Sequence, residues 1–200
     1  HVHRVNGLFE QAEAHYREAL ELAGETANAA AEGKALTDLV QTLAWRRPHD
    51  AQDLQPRALE LNEALRNQVE IVKIRAASAV ALTNTGNLSE ASDQVDSGLT
   101  LAEQCGYPGG LVWCWVARTL NDLRRGDNSA GRRSAARLAA IVGDLQGNRF
   151  WSEIANWWTE DDTSPHADSS TRWLEGEAAA RTRWLAVLSP GDHGPAEPAG

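Results

Sequence analysis

The sequence predicts an all-α fold: an antiparallel helix-pair solenoid, wound as a superhelix, with a period near 40 residues. Two observations predict it. The helix formers Ala, Leu, Glu and Arg are abundant, Ile, Val, Phe and Tyr are few, and no stretch alternates apolar and polar residues as a half-buried strand does. The chain also repeats itself. Ala12, Ala51, Ala91 and Gly131 are separated by 39, 40 and 40 residues, and seven residues after each stands Ala19, Ala58, Gly98 or Leu138. Residues seven apart share one helical face, so these mostly small pairs mark places where two backbones approach closely.

The elements follow from this register. "GLFEQAEAHYREALELA", residues 7–23, is a helix with Ala12 and Ala19 at crossings, and a second helix spans about 28 to 45. "RRPHDAQD" then breaks the chain before a helix that contains Pro56, which lacks a backbone donor and predicts a kink or a delayed start. A helix at about 69 to 84 precedes "NTGNLSEA", and another at about 110 to 125 precedes "RRGDNSAG". Each break opens a further alanine or glycine helix, so the unit is helix, tight turn, helix. The repeats occupy 1–148. Residues 149–188 read as a degenerate last repeat with a capping helix at about 169 to 188, and 189–200 as a flexible tail.

Composition narrows the function. A formal charge of -9 and a pI near 5.1 disfavour a general nucleic-acid or anionic-membrane surface, and no apolar run approaches the roughly 20 residues needed to cross a bilayer. Two cysteines, Cys105 and Cys114, are too few for a disulfide scaffold, which fits a cytoplasmic protein. The chain begins at His1 and holds no Met, so it reads as part of a longer protein.

A search for chemistry yields no catalytic residue, cofactor or metal site. "EGKALTD" lacks the upstream glycine and the Ser or Thr of a phosphate loop. Cys114, within "WCW", reads as packing rather than as a nucleophile. His1 and His3 sit at the cut end, and "EDDTSPHAD" matches no calcium loop and reads as a solvated turn. Arg118, Arg124, Arg125, Arg132, Arg133 and Arg137 face only Asp122 and Asp127 locally. Pairing with acids of adjacent units is the favoured reading for them, and a phosphate contact the alternative. Of the eight tryptophans most are expected in the core, with Trp45 and Trp157 exposed.

The stretch "GLFEQAEAHYREALELA" resembles the second half of a tetratricopeptide (TPR) repeat, through Gly7, Phe9, Ala12, Tyr16, Ala19 and Leu20. "GNLSEASDQVDSGLTLA" matches it with Gly86, Leu88, Ala91, Val95, Gly98 and Leu99. The unit here is longer than the family's, which is about 34 residues. The likeness covers about residues 5 to 158 and extends to the sensor arrays of bacterial signal-transduction ATPases and LuxR-type regulators. It implies a non-enzymatic domain that binds a protein or peptide, or other domains of its own full-length chain. A small-ligand or signalling-peptide sensor of a transcriptional regulator is the alternative. The resemblance also implies where the partner binds: a concave groove lined by the first helix of each unit. That groove would hold Lys34, Thr37, Gln41 and Trp45, then Lys73, Ala76, Val80, Thr83 and Asn84. Cys114, Arg118, Asn121 and Asp122 would follow, with Glu153 and Trp157 at the end.

Overall fold

The structure, a computed structural model, describes residues 8–144. These form seven helices and, among the described residues, no strand: α1 (Phe9–Glu25), α2 (Ala29–Leu43), α3 (Pro48–Ala64), α4 (Gln68–Asn84), α5 (Leu88–Gln104), α6 (Pro108–Arg124) and α7 (Asn128–Asp144). The fold is all-helical, with consecutive helices packed as neighbours in the manner of a solenoid.

The long repeat has a simple geometric origin. Six of the helices are 17 residues long, and three-residue turns join α3 through α7, so each helix and turn takes 20 residues. The middle residue of these turns is left-handed: Arg66, Gly86, Gly106 and Gly126 all have positive φ, as does Ala27 between α1 and α2. That conformation lets the residue after it donate back to the carbonyl five residues earlier, as in Asn28 N–H to Ala23 O, Asn67 to Asn62 and Asn87 to Leu82, each at 2.9 Å. The same residue often starts the next helix. Asn28 accepts from the Ala31 amide at 3.0 Å and Asp127 from that of Ala130 at 2.8 Å. At Asn28, Asn67 and Asp127 the polar residue after the left-handed position thus ends one helix and caps the next.

The helices form two layers. α2, α4 and α6 pack on one another in an inner layer, while α1, α3, α5 and α7 pack against inner helices and make no extended contact among themselves. Ala12, Ala51, Ala91, Ala58, Gly98 and Leu138 are buried, as the register predicts. At Gly98 a Cβ would stand 2.9 Å from Cys114 Sγ of α6 and 3.5 Å from Arg75 Cβ of α4, so this outer helix is seated between two inner ones. Ala19 differs: it is exposed. Among the described residues α1 has an inner helix on one side only, so the position that is enclosed at Ala58 and Gly98 stays open.

Two further expectations are corrected. α3 begins at Pro48 and runs through Pro56, so its start is not delayed. Proline at the first helical position is preorganised for that start, and Pro56 lies on an exposed face, where water can reach the carbonyl it leaves unbonded. Trp45 is only 8% exposed. It falls in the turn after α2, which folds it over Ala76, Ala77 and Val80 of α4 and against Trp113 of α6. The 149–188 and 189–200 segments lie outside the described residues, as do Glu153 and Trp157.

Ion pairs and amides cross between the layers. Arg46 pairs with Glu10, Arg47 with Glu13, and Arg57 with Glu32. Burial works against the charge of Glu13, but the guanidinium groups of Arg17 and Arg47 outweigh it and hold the carboxyl below its ordinary value. Asn62, fully buried, donates to Gly33 O at 3.2 Å and Thr37 Oγ1 at 3.4 Å, joining α3 to α2.

Candidate functional site

The inner layer carries a groove of about 620 Å³. Its lining includes Tyr16 and Ala19 of α1, Lys34, Asp38 and Gln41 of α2, Lys73 of α4, and Tyr107 and Trp113 at the start of α6. Lys34, Asp38 and Gln41 meet there because steps of four and three keep residues on one side of a helix. Ala31 and Ala35 widen the α2 wall between them.

Charge in the groove is arranged in two pairs. Lys34 Nζ lies 3.0 Å from Asp38 Oδ2, and Lys73 Nζ lies 2.6 Å from Glu70 Oε1. Asp38 and Glu70 are almost fully buried, Lys73 nearly so, whereas Lys34 is 59% exposed and reaches out. Burial disfavours the Lys34 ammonium, yet the carboxylates of Asp38 and Glu70 more than offset it, and its pKa is raised above the ordinary lysine value. Glu70 Oε2 is buried with no hydrogen-bond partner, so Lys73 alone satisfies this carboxylate among the described residues. The arrangement offers one accessible cation, buried counter-charges and aromatic walls. It can hold a polar group by charge and hydrogen bonding while an apolar group stacks on tyrosine or tryptophan.

The residues expected in one groove are divided by the structure. Lys34, Gln41 and Lys73 line it. Trp45, Ala76 and Val80 lie deeper, with Gln41, around a small cavity beneath Trp113. Thr37 faces α3 through Asn62, Thr83 is buried, and Asn84 donates to Ala44 O at 3.0 Å, tying the end of α4 to the end of α2. Asn121 faces α5, donating to Leu88 O at 3.1 Å and Ser92 Oγ at 2.9 Å. Cys114 is fully buried in contact with Val72, Ala76 and Ala102, and burial pushes its thiol up to about 12 despite the opposing charge of Arg118. Arg118 and Asp122 line a different cleft. Of the polar residues expected to face a partner in the groove, Thr37, Gln41, Thr83 and Asn121 are instead each at most 3% exposed. The physical reason for Thr37 and Asn121 is that neighbouring helices cover them, α3 through Asn62 and α5 through Leu88 and Ser92.

Tyr16, Asp38, Tyr107 and Trp113 were not legible as groove residues. Asp38 had a signal, since it stands four residues after Lys34, the spacing of a helical ion pair. Tyr107 and Trp113 had none, because only the curl of the array brings α6 close to α2.

The arginines divide as well. Arg118 pairs with Asp96 of α5, and Arg125 donates to Leu88 O at 2.7 Å. Pairing across neighbouring helices therefore accounts for part of the cluster. Among the described residues, no three His, Cys, Asp or Glu side chains gather as metal ligands do. No helix among them is long and apolar enough to cross a membrane.

No known family matches the chain, and no curated protein is similar enough to count as a relative. The class that the fold defines is an all-helical repeat protein.

Proposed function

We propose that the chain is a non-enzymatic, TPR-type interaction domain that binds a short segment of a protein or peptide in its inner groove. In this reading it is the cytoplasmic sensor part of a larger bacterial regulatory protein. The observation that carries the proposal is the groove itself: an accessible Lys34 beside buried Asp38, Glu70 and Lys73, walled by Tyr16, Tyr107 and Trp113. Such a lining suits a peptide that presents an acidic or amide group next to an apolar side chain. The TPR-like register of Ala12, Ala51, Ala91 and Gly131 and the inner-layer position of the groove support it.

A second reading has its own observation. The groove's 620 Å³ falls within the range of roughly 300 to 1,000 Å³ of small-molecule sites. A small signalling ligand of a transcriptional regulator would fit the same walls.

The test is to pan a peptide-display library on the full chain and to measure the recovered peptide against the parent and Lys34→Glu. Because Lys34 is exposed, the variant is expected to fold and to bind roughly tenfold more weakly, a difference of about 1.4 kcal/mol. Unchanged binding by a well-folded Lys34→Glu would remove the groove from the account. A library that yields nothing would favour the small-ligand reading.

A further inference from the structure

A second cleft, of about 760 Å³, opens between the outer helices α5 and α7. Its base is the α6 face carrying Trp115, Arg118 and Asp122, which helical spacing places away from Trp113. α5 contributes Asp96 and Leu99, and α7 contributes Arg133, Ser134 and Arg137 beside three alanines.

The charges in it do not balance. Asp96 is taken by Arg118, and Asp122 accepts the Ser134 hydroxyl at 2.7 Å. Arg133 reaches only the Ser129 hydroxyl, at 2.6 Å, and Arg137 has no hydrogen-bond or carboxylate partner among the described residues. Two guanidinium groups, one helical turn apart on α7, thus line the cleft with no carboxylate paired to either among the described residues, in a chain whose net charge is -9. Residues four apart on a helix stand about 6 Å from each other, close to the separation of alternate side chains on an extended strand, which rises about 3.3 Å per residue.

We infer that this cleft is a docking surface for an acidic peptide segment of a partner protein. The segment presents two carboxylates at alternate positions to Arg133 and Arg137 and an apolar side chain to Trp115 and Leu99. Guanidinium binds carboxylate through paired hydrogen bonds, and Trp115 supplies the flat apolar wall. A nucleic-acid backbone fits less well, because its continuous run of phosphates would also meet Asp96 and Asp122, which line the same cleft, whereas a peptide can present neutral or apolar side chains there. The surface is separate from the inner groove, so the two can be tested apart.

The probe is a fluorescein-labelled peptide, Gly-Glu-Phe-Glu-Leu-Glu-Gly, with a control in which Gln replaces each Glu. Binding to the full chain is followed by anisotropy in about 50 mM salt, where screening is modest. The expected result is saturable binding of the acidic peptide and at least tenfold weaker binding of the control. Arg133→Gln with Arg137→Gln should lose at least tenfold, while Arg57→Gln, an exposed arginine of α3 that lines neither the cleft nor the inner groove, keeps the parent affinity. Both arginines are exposed, and an unchanged helical melt would confirm that the double variant folds. No binding of the acidic peptide at millimolar concentration, equal binding of the Gln control, or an unaffected double variant would overturn the proposal. So would an equal loss caused by Arg57→Gln, or duplex DNA competing the peptide off at a lower concentration than unlabelled peptide does.

Discussion

Lys73→Met is expected to lower the unfolding free energy by about 3 kcal/mol, because it strands the Glu70 carboxylate in a site from which water is nearly excluded. Glu70 is 6% exposed, one of its oxygens has only Lys73 to bind and the other has no partner, so the remaining charge would be poorly compensated. The companion variant separates this cause from lost packing. Replacing both members, Glu70→Leu with Lys73→Met, removes the stranded charge and should recover most of the loss, since an apolar pair of similar size is often as stable as a buried ion pair. Urea unfolding of the single and double variants measures both. A single variant within about 0.5 kcal/mol of the parent would place the pair in the range of exposed ion pairs and take away its role in shaping the groove.

The second large effect is expected at Leu36. This side chain has no exposed surface and sits in the main core with Leu39, Val40 and Leu43 of α2 and with Phe9, Ala12 and Tyr16 of α1. Leu36→Ala should cost about 2 to 5 kcal/mol, the transfer of the lost carbons plus the cavity that rigid neighbours leave open. The loss should lie toward the upper end, since α2 is enclosed by α1, α3 and α4, which limits how far the site can collapse. The check is the denaturant midpoint at unchanged slope. A shift worth less than about 1 kcal/mol would show that α2 is not at the centre of the stack.

The stack was legible in the sequence for a physical reason. Close helix crossings demand small residues at fixed intervals, and Ala12, Ala51, Ala91 and Gly131 keep the interval to within one residue because each helix with its turn takes 19 or 20 residues. Turn chemistry was legible only in part. Gly86 and Gly126 advertise a left-handed residue, while Arg66 and Ala27 adopt it without advertising it. Pro56 misled because its cost depends on which face of α3 meets water, and Trp45 because its burial comes from α4 and α6 rather than from its own helix.

The groove was less legible than the stack. Helical phase correctly gathers Lys34 and Gln41 on one side of α2 but cannot tell how tightly successive inner helices curl. That curl decides that Thr37 and Asn121 point into helix contacts and that Tyr107 and Trp113 come to face Lys34. It also divides Arg118 and Asp122 from the rest, since the other side of α6 looks into the cleft between α5 and α7.

The central claim is that a partner segment is held against the inner face. Its most direct test is photo-crosslinking with the panned peptide carrying a benzophenone side chain, followed by mass-spectrometric mapping of the adducts. The account predicts adducts on Lys34, Tyr107, Trp113 or Tyr16, which line the groove. Adducts confined to the outer helices α3, α5 and α7, with none on these four residues, would contradict it.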